Sequence, residues 1–191
     1  MLQSVVLSLV LAASFGASAD TYVIDDSEKG AHAFLQFRVK HLGYSWLWGR
    51  FDDFTGEFTY DPKKPEASTI SVDINTLSLD SNHGLRDKHL KSKDYLNFDK
   101  FTKASFKSTK YTPTGDKTAK LEGDLTLAGM TKPITIDVNV VGGGKDPWGG
   151  YRQGFEGRTI LNPADFGFKL AKLGEAGTHV EMFISIEGIK K

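Results

Sequence analysis

Apolar and polar residues alternate along most of this chain with a period of two. Between Ala33 and His41, Leu35, Phe37 and Val39 fall on one face and Gln36, Arg38 and Lys40 on the other, the pattern of a half-buried strand. From Gly49 to Tyr60, Phe54, Phe58 and Tyr60 share a face while Phe51 stands one step out of phase, so Asp52-Asp53 is expected to form a bulge. Ile70, Val72 and Ile74 follow after a Pro-rich turn, and Phe106 marks a polar strand from Ala104 to Tyr111. Leu121, Leu125 and Leu127, then Ile134, Ile136, Val138 and Val140, flank an expected hairpin turn over Ala128–Pro133. Tyr151–Thr159 reads as a weaker strand, and Val180, Met182, Ile184 and Ile186 give a last one within Thr178–Gly188.

About eight such strands in a meander predict an all-β fold. A closed antiparallel barrel of eight strands would remove its own edges and can enclose one small ligand. A two-sheet sandwich would show the same alternation, so the pattern alone leaves both open. One segment breaks the period: residues 82–91 are expected to form a short helix. Ser81 or Asn82 would cap it, and Leu85, His89 and Leu90 would turn inward. Gly142-Gly143-Gly144 and Trp148-Gly149-Gly150 mark one flexible loop around Asp146-Pro147.

The first nineteen residues change the picture of where this fold resides. They hold no charged side chain, carry the apolar run Val5–Ala13 and end in Ala17-Ser18-Ala19 before Asp20, as a cleaved secretory signal does. The run is shorter than the roughly 20 residues a membrane span needs. Residues 1–19 are therefore expected to be a signal peptide cut after Ala19, and residues 20–191 a single domain that does not span the membrane. The chain has 24 basic and 24 acidic side chains and no cysteine. A neutral balance gives no reason to expect nucleic acid as a partner. An exported, disulfide-free domain fits a bacterial periplasm, and thiol chemistry is excluded.

Candidate chemistry is sparse. His83 and His89 are six positions apart and would lie about 240° apart on a helix, so they cannot chelate from one face. His32 and His41 sit on opposite parities of one strand, and no metal is expected. There is no Gly-x-Ser-x-Gly elbow, and the glycine cluster lacks the lysine and following helix of a phosphate loop. Arg86, Asp87 and His89 are the groups that acid–base chemistry would need, although in a short helix they serve equally as caps and ion pairs. Aromatics are plentiful, with 13 Phe, 6 Tyr and 3 Trp. The segment Leu42–Gly49 looks like an apolar connection that must cover something, as a plug or as a gate.

Several stretches together resemble the YceI-like family of polyisoprenoid-binding periplasmic proteins. They are Phe37-Arg38-Val39-Lys40-His41-Leu42-Gly43-Tyr44-Ser45-Trp46, the Phe51/Phe54/Gly56/Phe58 strand, and Arg86-Asp87-Lys88-His89-Leu90. Gly123–Leu127 with Gly129, Thr131-Lys132-Pro133, and Asp146-Pro147-Trp148-Gly149 complete the set, and the likeness runs from about Tyr22 to Ile189. The resemblance implies a lipocalin-like barrel holding a long isoprenoid chain such as a polyprenyl quinone or phenol. It implies no catalytic residue, no metal and no cofactor besides that lipid; a homodimer is left open. Strand parity within the resemblance nominates Phe37, Val39, Phe54, Phe58, Ile74, Phe106, Leu125, Leu127, Ile136, Val138 and Phe155 as ligand contacts. Trp46, Trp48 and Leu90 are expected at the rim, with His89, Arg86 and Tyr44 orienting a polar head at the mouth.

Overall fold

A computed structural model describes residues 19–26 and 30–191. The expected signal segment lies outside these residues except for Ala19. The strands are β1 (Asp20–Ile24), β2 (Phe34–His41), β3 (Ser45–Phe51), β4 (Phe54–Tyr60), β5 (Thr69–Asn75) and β6 (Leu79–Asp80), followed by helix α1 (Gly84–Lys91). Then come β7 (Lys103–Pro113), β8 (Thr118–Leu127), β9 (Met130–Lys145), β10 (Tyr151–Leu161) and β11 (Val180–Lys190).

The pairings turn these pieces into eight staves. β11 pairs with β1 through Ile24↔Gly188 and with β2 through Phe34↔Ser185, so β1 and β2 are two halves of one stave. β1 pairs with β4 and β2 with β3; β4 pairs with β5 and β3 with β6. β3–β4 and β5–β6 are therefore two further staves, broken at Asp52-Asp53 and at the 3-10 turn Thr76–Ser78. From there β5, β7, β8, β9, β10 and β11 follow in order, and β11 meets β1 to close an antiparallel barrel. Closure leaves no long unpaired edge, and it decides between barrel and sandwich.

The chain direction gives the barrel two ends. At the mouth end lie the β2–β3 turn, α1, the β8–β9 turn and the 3-10 segments Pro163–Phe166 and Ala171–Gly177. At the far end lie the β4–β5, β7–β8 and β9–β10 connections and both ends of residues 20–191. The β8–β9 connection needs only Ala128 (φ 50°) and Gly129 (φ 77°), with Leu127 paired to Met130. Two successive positive φ values match the twist of the flanking strands, so Thr131–Pro133, expected in the turn, already belong to β9.

Other expectations are corrected. Leu42–Gly49 is not a connecting loop. Only Leu42, Gly43 and Tyr44 turn, and Ser45 onward pairs with β2 residue by residue. Gly142–Gly144 are not loop either, because they pair with Gly154, Gln153 and Arg152 in β9 and β10. The helix begins at Gly84 and is capped by His83, whose side chain accepts from the Arg86 amide; Ser81 and Asn82 do not cap it. Leu85 is 60% exposed instead of facing inward. Eight residues cannot present a full apolar stripe when Arg86 is held by the cap and both Arg86 and Asp87 are held by Ser81.

Two glycines decide how much room is left inside. A Cβ on Gly49 would lie 2.3 Å from the Phe37 ring, and one on Gly188 would lie 2.4 Å from Phe58. The Phe37 ring covers a glycine of its paired strand β3, and the Phe58 ring of β4 reaches past β1 to cover a glycine of β11.

Candidate functional site

The barrel is not filled by its own side chains. A cavity of about 610 Å³ runs inside it, within the size range of ligand pockets. Phe37, Val39, Phe54, Ile74, Leu90, Phe106, Leu125, Leu127, Ile136, Val138 and Phe155, nominated from sequence, all line it. So do His89 and Arg86. The alternation that makes a half-buried strand is the reason: inward side chains of a closed barrel have only the bore to face.

Three nominated residues lie elsewhere. Phe58 is buried but stacks on Tyr22 at 4.9 Å and meets Phe155 edge-on at 5.4 Å, packing the wall instead of lining the cavity. Trp46 and Trp48 project from the outer face of β3. There the Arg38 guanidinium lies 4.0 Å from the Trp46 ring and 5.0 Å from Phe183, and pairs with Glu181 at 2.7 Å. The cause is the register: once β3 is a strand, Leu47 opposite Val39 takes the inward position and both tryptophans face out. Tyr44, expected to orient a head group, is 84% exposed at the turn and does not line the cavity.

Sequence reasoning missed a cap on the mouth. Tyr95, Leu96 and Phe98 after α1, and Phe166, Phe168, Leu170 and Leu173 between β10 and β11, all line the cavity. Phe98 packs edge-on to Phe168 at 6.3 Å and against Phe51 at 6.2 Å. These segments have neither period, so only their apolar content could have drawn attention. Leu79, Met182 and Ile184 complete the wall.

Arg86 and Asp87 are occupied in holding the start of α1. Arg86 donates to the Ser81 hydroxyl at 2.8 Å and to its carbonyl at 2.5 Å. Asp87 accepts from the Ser81 amide at 2.9 Å and from its hydroxyl at 2.5 Å. Ser81 is buried, so this trio anchors the helix over the mouth.

Polar groups converge in a second place, outside the bore. Alternation puts Arg152 and Glu187 on the outer face of β10 and β11, beside Asp25, the first residue after β1. The Arg152 Nη1 donates to Asp25 and Glu187, each at 2.5 Å, while its Nε donates to Asp146 at 3.1 Å. His32 Nδ1 lies 2.7 Å from Asp25, and Trp148 covers the guanidinium at 5.2 Å. Asp25 is 0% exposed. Burial acts to raise its pKa, but the His32 and Arg152 hydrogen bonds outweigh that and hold the carboxyl below its ordinary value. Asp146 is lowered first by the Gly150 amide, and Arg152 is raised by Asp25 and Glu187. Among the described residues, Asp25, His32 and Glu187 are a set whose ligand atoms lie within 4.8 Å of one another. The cation between the carboxylates is Arg152 itself, which makes the cluster a clamp across the gap between β1 and β2.

Among the described residues, no helix is long and apolar enough to cross a membrane. A family model described as the YceI-like domain matches residues 22–188. A UPF0312 protein of Shewanella putrefaciens is 50% identical over 190 residues, covering 100% of this chain and 98% of the relative. One from Pseudomonas aeruginosa is 53% identical over 175 residues, 92% and 90% of the two chains. Among solved structures, a Campylobacter jejuni YceI protein superposes with a TM-score of 0.71 at 27% identity over 80% of this chain and 90% of that one. A polyisoprenoid binding domain from Saccharophagus degradans gives 0.63 at 14% identity, covering 89% and 98%, which speaks to the fold alone. With its closed barrel and the match across nearly all of the strands, the chain belongs to the YceI-like domain family.

Proposed function

We propose that the protein encloses one long isoprenoid lipid of the polyprenyl quinone or phenol type in its bore and carries it through the periplasm for storage, scavenging or transfer, without transforming it. The observation that carries this reading is the unfilled cavity of about 610 Å³ with an almost wholly apolar wall. A chain of methyl and methylene groups gains about 0.8 kcal/mol for each methylene it removes from water. Ordering a flexible chain subtracts from that sum, so a long lipid is better matched to the site than a short one. The Saccharophagus domain, described as binding polyisoprenoid, is consistent with this cargo.

The anchoring of Arg86 and Asp87 on Ser81 supports a structural role for them rather than acid–base work on the lipid. Mass spectrometry of lipids extracted from protein purified from its native host is the test. It should give an isoprenoid at close to one per chain; repeated extractions without one would sink the proposal. His89→Ala should leave lipid retention intact, and a turnover of the lipid by wild type that this variant abolishes would favour an enzyme instead. Export is checked in the same preparation: the mature protein should be recovered from the periplasmic fraction with Asp20 as its first residue.

A further inference from the structure

Polar groups reach the cavity at both ends, and they differ in kind. At the mouth, His41, Arg86, His89 and Lys172 line the opening, where water can solvate them. At the far end stand the phenols of Tyr60, near the end of β4, and Tyr111, near the end of β7. They are 8% and 7% exposed. Both line the cavity, and they are close enough to influence each other electrostatically. Among the described residues, neither phenol has a hydrogen-bond partner. Ser68 lines the cavity at the same end, and its buried Oγ also lacks a partner.

Both rings are buried, but neither phenol oxygen is fully enclosed, so each keeps access to open space with its donor unused, whereas buried tyrosines normally find a partner. Phenylalanine would pack as well against Phe155, which meets the Tyr60 ring edge-on at 5.1 Å. We infer that Tyr60 and Tyr111 form a subsite for the polar end of the bound lipid, donating their phenolic protons to a neutral oxygen acceptor of the carbonyl or ether class. The isoprenoid then enters head first and its tail points to the mouth, the reverse of a head group held by Arg86 and His89. The subsite selects against a phosphate or pyrophosphate terminus, because every basic side chain lining the cavity belongs to the mouth segments. A phenol is a proton donor at neutral pH, and burial raises both further in that direction.

This inference rests on the isoprenoid reading, and the experiment separates the two. Lipid-free protein is titrated with a polyprenyl quinone, with an isoprenoid hydrocarbon of equal chain length and with the corresponding polyprenyl phosphate. The comparison protein is Tyr60→Phe/Tyr111→Phe, with its melting temperature recorded as a check on folding. Wild type should prefer the quinone over the hydrocarbon by roughly tenfold, as two modest hydrogen bonds would give, and should bind the phosphate no better than the hydrocarbon. The double variant should lose the quinone preference and keep its hydrocarbon affinity. In wild type the infrared carbonyl band of the bound quinone should shift to lower wavenumber, and in the variant it should return. Equal binding of quinone and hydrocarbon by wild type, or an unchanged band in the variant, overturns the subsite while leaving the isoprenoid reading standing. Failure of wild type to take any of the three overturns both.

Discussion

Inside the wall, Phe37, Phe106, Leu125 and Ile136 leave about 610 Å³ empty. Outside it, Asp25, Arg152, Glu187 and Asp146 pack so closely that a guanidinium touches three carboxylates. The two regions meet on β10 and β11, whose Phe155 and Ile184 line the bore while Arg152 and Glu187 belong to the clamp on the other face. The bore tolerates emptiness because apolar atoms facing a void lose only weak contacts, each of them individually small. The clamp tolerates no vacancy, because a buried carboxylate without its counter-charge is expensive. Strength in this molecule is therefore concentrated where the wall is interrupted, and softness where the cargo goes.

The sharpest way to break that contrast is Arg152→Met. It leaves Asp25 buried and opposite Glu187 without the guanidinium, with only the half-exposed His32 still beside it, and is expected to cost about 3–5 kcal/mol of stability. Urea denaturation measures it, and the fraction that stays folded should still retain lipid. A loss below about 1 kcal/mol would show that the clamp is not a structural keystone. Leu125→Ala tests the opposite region. A core leucine usually costs about 2–5 kcal/mol on truncation, but here one side already faces empty space. The loss should sit at or below the low end of that range, while lipid retention changes more than stability. Gly49→Val is expected to swing the Phe37 ring off the wall and into the bore, lowering lipid capacity with a smaller change in melting temperature.

The mildest test is pH. Asp25 is held below its ordinary pKa, so its ionised form is favoured by folding. That contribution is fully present above the ordinary aspartate value of about 3.9 and is lost as pH falls through the folded value. Melting temperature should accordingly decline in acid, and less steeply in Asp25→Asn measured from its own lower starting point. Binding of a neutral lipid should not follow the same curve while the protein remains folded.

How much of this was legible in residue order varies from place to place. Alternation put Phe106, Leu125, Ile136 and Val138 on the inward face, because in a closed barrel parity is orientation, while the resemblance supplied the expectation that this face lines a ligand site. Phe54 and Phe51 announced the break at Asp52-Asp53 by falling out of phase. Trp46 and Trp48 were misplaced because an apolar aromatic run reads as a covering loop until its pairing partner is known. The cap made by Phe98 and Phe168 left no periodic trace. The Arg152 clamp joins residues as far apart as Asp25 and Glu187, and nothing local marks Asp25 as different from Asp26.

By itself, then, the sequence determined the alternating strands, the absence of cysteine chemistry and the resemblance that pointed to a barrel. Those properties are local: they depend on side-chain period and composition within a few residues. Tertiary structure alone decided that the bore stays open, that the tryptophans face out, and that two tyrosines from β4 and β7 both line its far end. Such features depend on register and closure, where a shift of one residue reverses every side chain, and on charges that meet only after the eighth stave joins the first.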